Sequence, residues 1–172
     1  MNFQFYMEKL FEAPEFIKFK KEFKEAYLCS GFFTIDKKGN DNQQNLDYFV
    51  PKINKMFSFK LNQNPIELLP VENATPEEQN YVPKKLPDNL KFEFSEMEKL
   101  VENRMVEEKI NKKIEKFLWS IQASDKGVFL IGTIFISNLS MLRVTINLDE
   151  KRITNFETKS FMDFIKIIKK KD

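Results

Sequence analysis

The sequence predicts an α+β protein built on antiparallel sheet, and three observations carry that prediction. Residues 117–158 read as four consecutive strands, at 117–122, 128–136, 141–148 and 153–157, joined by tight turns. Within them 141–148 alternate cleanly: Leu142, Val144, Ile146 and Leu148 face inward, and Met141, Arg143, Thr145 and Asn147 face outward. Stretches beginning near residue 3 and at Ser95 carry instead the three-to-four-residue apolar spacing of amphipathic helices. The expected object is an antiparallel meander sheet, or two, packed by those helices.

In chain order, 3–26 is expected to be helical in two pieces. Pro14 lacks an amide donor and starts the second piece more readily than it continues the first. Met7, Leu10 and Phe11 supply the apolar face of the first piece. Phe16, Phe19, Phe23 and Ala26 supply that of the second, with lysines and glutamates between them. Strands follow at 27–36, 46–50 and 56–61, separated by a loop at 37–45, with Gly39-Asn40 as its turn signal, and by a turn at 51–55.

Five of the seven prolines fall within 62–91. There 66–72 suits a short edge strand that tolerates Pro70, and 73–91 reads as an extended surface connection. Ser95 and Glu98 have the spacing of a capping box, and the apolar stripe continues through Ile114 to predict a helix over 95–116. A Glu108–Lys112 pair and the lysines at 112, 113 and 116 would support its last turns. The helix expected beyond the last strand starts with Ser160 and Asp163 as its cap signal.

Residues 128–136 are apolar at both parities, which predicts a central strand covered on each side. The chain divides into a helix plus three-strand unit at 1–61, a Pro-rich connection at 62–94, and a helix, meander and final helix at 95–172. The order admits a duplicated α-β-β-β unit as well as two unrelated runs that look alike because turn chemistry makes them so.

The helix at 95–116, the meander, and the strand–DEKR–strand hairpin within 142–156 together resemble small PepSY-like and cystatin-like α+β domains. They are also similar to proteins encoded by compact, AT-rich microbial genomes. The PepSY-like resemblance implies a binding or inhibitory module and brings no catalytic residues with it.

Composition narrows the chemistry. There is no histidine, which removes the usual neutral-pH general base and every His-assisted nucleophile. The one cysteine, Cys29, excludes an internal disulfide and cannot alone close a thiolate metal site. The four glycines, at 31, 39, 127 and 132, fit neither a P-loop nor a dinucleotide fingerprint. No catalytic, cofactor-binding or metal-ligating residue is therefore assigned, and no cofactor is expected. Asp36, Asp41 and Asp47 flank one loop without the spacing of a calcium site.

Charge is nearly balanced, with 28 basic against 26 acidic residues. Nineteen phenylalanines accompany one Trp and four Tyr. Codon usage of an AT-rich genome accounts for that bias; an aromatic stacking surface is the functional alternative. Glu8 and Glu12 stand where a signal peptide would be apolar, so a soluble cytoplasmic protein is expected.

These observations favour a non-enzymatic module that binds a protein partner. Its candidate surface is the outer face formed by Arg143, Thr145, Asn147, Asn155 and Glu157. An RNA- or ribosome-associated protein is the alternative, through Lys18, Lys20, Lys21 and Lys24 near Phe19 and Phe23, and through Lys169, Lys170 and Lys171. A carboxylate-based enzyme with a sheet-lined pocket is the third reading.

Overall fold

The computed structural model describes residues 2–71, 82–137 and 139–160. Two short helices open the chain, α1 (Phe3–Phe11) and α2 (Pro14–Glu22). Asn2 caps α1 by accepting the Gln4 amide at 2.9 Å, and Pro14 occupies the first turn of α2 as its fixed φ predicts. Four strands follow: β1 (Tyr27–Asp36), β2 (Gln44–Val50), β3 (Lys55–Lys60) and β4 (Glu67–Val71). After α3 (Phe94–Glu107) come β5 (Ile114–Ser124), β6 (Gly127–Ile136), β7 (Ser140–Asn147) and β8 (Arg152–Ser160).

All eight strands form one antiparallel sheet in the order β4-β3-β2-β1-β5-β6-β7-β8. The halves of the chain meet at the β1–β5 pair, where Phe33 lies opposite Trp119 and Ile35 opposite Phe117. The expected α+β class, dominated by sheet, is the one adopted. Pro70 sits on the edge strand β4, where its missing amide does least harm.

One face of the sheet carries the core. Leu46, Tyr48, Phe59, Phe117, Trp119, Leu130 and Val144 point from it toward Leu10, Phe16, Phe19, Met97 and Val101 of the helices, all buried. Phenylalanine fills this layer: Phe3 stacks on Phe92 at 5.2 Å, and Phe19 meets Phe59 edge-on at 5.2 Å. Part of the proline-rich stretch joins in. Leu86 is fully buried, and its amide donates to the Leu28 carbonyl at 2.9 Å.

Four expectations are corrected. The helix predicted over 95–116 ends at Glu107, because Lys109 takes a left-handed φ of 57°. Its amide donates to Val106 O at 3.0 Å and that of Ile110 to Met105 O at 2.8 Å, the paired bonds of a Schellman stop. Ile114 and Lys116 belong to β5, and Arg104 takes the partner foreseen for Lys112 by pairing with Glu108 at 2.7 Å.

Second, the Ser95–Glu98 capping box does not form. Phe94 is fully buried and already helical, Glu93 holds the cap position, and Glu98 pairs with Lys37 at 2.5 Å. Third, 128–136 is not covered on both sides: its burial alternates, and Ile131 is 40% exposed. Ser160, expected to cap a last helix, is the final residue of β8, opposite Ser140. The helix expected beyond it lies outside the described residues.

Candidate functional site

The sheet register assembles the outer face away from the helices. Phe32, Ser120, Ile131, Thr145 and Asn155 make one row from β1 across to β8. Thr34, Leu118, Thr133, Arg143 and Glu157 make the next. Four of the five residues named from the sequence therefore share two adjacent rows at the β7–β8 end. Asn147 is different. It is 6% exposed, and its Oδ1 accepts the amides of Asp149 at 2.9 Å and Glu150 at 3.1 Å, so it anchors the β7–β8 turn.

Glu157 is the most engaged of the four. Asn155 donates to it at 3.4 Å and Lys159 pairs with it at 3.3 Å. These two hydrogen bonds, and the charges of Lys159 and Arg143, hold its carboxyl below the usual range. Arg143 is exposed and makes no ion pair among the described residues.

Sequence reasoning missed the apolar neighbours of these groups. Ile131 is exposed, and Leu118, Phe135 and Met141 are half-buried on the same face. An open hollow of about 440 Å³ is lined there by Leu118, Phe135, Lys116 and Asp36. The available signal was the run 128–136 itself: apolar residues at both parities fit an exposed apolar strip as well as a second covering layer.

The α2 lysines and phenylalanines part company. Lys18, Lys21 and Lys24 are exposed, whereas Phe19 is buried and Phe23 stacks on Phe57 at 5.9 Å. Lys20 turns back to donate to the carbonyls of Lys24 at 3.0 Å and Ala26 at 2.7 Å. Lys169, Lys170 and Lys171 lie outside the described residues.

The three loop aspartates do different things. Asp36 accepts the Lys38 and Gly39 amides, both at 2.9 Å, and Asp41 pairs with Lys116 at 2.5 Å. Asp47 sits away from both on β2, accepting from Ser30 Oγ at 2.6 Å. A bulge between Leu28 and Ser30 brings Cys29 beside it, with Cys29 Sγ 3.3 Å from Asp47 O and 3.6 Å from Met56 Sδ. Among the described residues no group of three or more His, Cys, Asp or Glu could hold a metal ion. No described helix is long and apolar enough to cross a membrane.

On the helix side, α1, α2, the start of β1 and the end of β2 line an open cavity of about 480 Å³. Met7, Phe11, Phe16 and Leu28 give it apolar walls, and Tyr48 lines it. Lys20, Lys24, Glu25 and the Lys85–Asp88 pair, 2.6 Å apart, supply its polar rim.

No protein-family model matches the chain, and no curated protein matches it. Among solved structures it is similar to the crystal structure of a putative lipoprotein from Clostridium difficile 630. The two are 12% identical with a TM-score of 0.51, and the match covers 84% of this chain and 90% of that one. At that identity the likeness speaks to the fold alone.

Proposed function

We propose that this chain is a non-enzymatic binding module that meets a protein partner through the outer face of β5–β8. The observation that carries this reading is Ile131: an exposed isoleucine at the centre of a sheet face, with half-buried Leu118 in the next row and Phe135 and Met141 in the row beyond it. Arg143, Asn155 and Glu157 border that patch on one side. An apolar centre with a polar, solvated border is the anatomy of a protein interface. Arg143 has donors to spare, so the partner carries an acidic group opposite it. The two halves of the chain are read as a duplicated unit, a reading supported by a strand order that mirrors itself about the β1–β5 pair.

A photo-crosslinking residue placed at Ile131 tests the proposal, with Phe5 and Ile17 as exposed apolar controls on the helix side. The expected result is one discrete crosslinked protein from position 131 that weakens in Arg143→Glu. Absence of a discrete product, or the same products from all three positions, would sink the proposal.

A further inference from the structure

The cavity between α1–α2 and the sheet carries on its wall a tyrosine whose hydroxyl no described residue engages. Tyr48 is only 4% exposed, with its ring edge-on to Phe16 at 5.1 Å and Phe59 at 5.7 Å. Its hydroxyl makes no hydrogen bond among the described residues, and it is not one of the side-chain atoms sealed from solvent without a partner, so it is reached through the cavity. A phenylalanine would fill the same aromatic cluster without placing a donor on the cavity wall. The hydroxyl belongs to a residue lining about 480 Å³ of space, within the range of small-molecule sites.

The rim determines the sign of the charge. Lys85 and Asp88 neutralise each other at 2.6 Å. Lys24 and Glu25 are exposed and offset each other to first order. Lys20 is left over. Its ammonium is held in place by two backbone carbonyls, which fix it without cancelling its charge. An ammonium has three donors, so one remains for a ligand.

We infer that this cavity is a binding site for a small amphipathic monocarboxylate. The apolar body of the ligand lies against Met7, Phe11, Phe16 and Leu28, and its carboxylate takes hydrogen bonds from the Tyr48 hydroxyl and Lys20. Burial, then the charges of Asp88 and Cys29, push the Tyr48 phenol well above its ordinary range. It therefore stays a donor at any physiological pH. The site is on the opposite face of the sheet from the proposed protein interface, and the two stand or fall separately.

The test is calorimetric titration of the full chain with decanoate below its micelle concentration, with decylammonium and decanol as charge-reversed and neutral analogues. Decanoate is expected to bind saturably, one molecule per chain, with decanol weaker and decylammonium undetectable. Tyr48→Phe, which keeps the aromatic packing, is expected to weaken decanoate about tenfold, as is Lys20→Met. Unfolding curves of both variants establish that they are folded, and Ile131→Asp is expected to bind decanoate normally. The inference is overturned if decanoate does not saturate, if decylammonium binds as well, or if Tyr48→Phe leaves the affinity unchanged.

Discussion

Gly132 lies directly opposite Trp119 in the β5–β6 pair, and the indole occupies the space where a side chain at 132 would stand. A Cβ built on Gly132 would come within 2.8 Å of Trp119 Cε3, closer than real methyl contacts allow. The ring cannot swing aside. It is fully buried and stacked on Phe117 at 5.5 Å, with 15° between the planes. Glycine is at this position because a neighbour approaches closely, which is one of the few reasons to place it mid-strand.

Gly132→Ala is therefore expected to destabilise the fold by about 2–3 kcal/mol in urea unfolding, the scale of an overpacked core. Trp119→Phe relieves the clash and also deletes an indole N–H that is buried without a partner. In the double variant the Gly132→Ala penalty is expected to shrink by more than about 1 kcal/mol. Additive penalties would show that the two positions do not share the space.

Asp47 predicts a pH dependence of opposite sign to the usual acid effect. Burial lifts its carboxyl above the ordinary range, and hydrogen bonds from Ser30 and Ser58 pull it only partly back. The folded state thus holds this proton more tightly than the unfolded chain does. Its contribution favours folding below the unfolded carboxyl range, about pH 3.9, and is lost as pH rises through the higher folded value. Asp47→Asn should gain stability relative to the parent as pH rises from about 3 through the raised folded value. A difference between the two unfolding midpoints that does not change with pH would refute this assignment.

The α3 terminus yields a third expectation. Lys109 holds a left-handed φ of 57° in a Schellman stop, a position where a Cβ carries a cost and glycine does not. Lys109→Gly is expected to stabilise the fold by about 0.5–1 kcal/mol, read as a raised unfolding midpoint with an unchanged denaturant slope. Lys109→Val should move the midpoint the other way.

Lys109 also shows where the sequence stops being legible. Period-two alternation placed β7 and its buried Leu142, Val144 and Ile146, because every second residue must choose between core and solvent. Pro14 and Pro70 announced themselves through φ and a missing amide. A lysine in a glycine's conformation sends no such signal, so apolar periodicity alone extends the helix through Ile114 and hides the start of β5. The candidate surface divides in the same way. Strand parity put Arg143 and Thr145 on the outer face, but the pairing of Arg143 with Glu157 depends on a bulge in β7–β8. The Tyr48 cavity needs α1 and α2 laid over β1 and β2, with Lys85 and Asp88 brought in from further along the chain, which no local pattern encodes.

Cys29 offers a last prediction that separates burial from charge. Its thiol is pushed up to about 12, by burial first and by the Asp47 carboxylate second. The thiolate is the reactive form, and Cys29 is only 3% exposed. Near pH 8 an aromatic disulfide reagent should therefore label it only through opening of the β1–β2 region, and rapidly once denaturant unfolds the chain. Asp47→Asn removes the charge and leaves the burial. If burial dominates, labelling of that variant stays slow and follows its unfolding equilibrium. A native thiol that labels at the rate of a free one, in either protein, would mean that the bulge at Cys29 opens to solvent without unfolding.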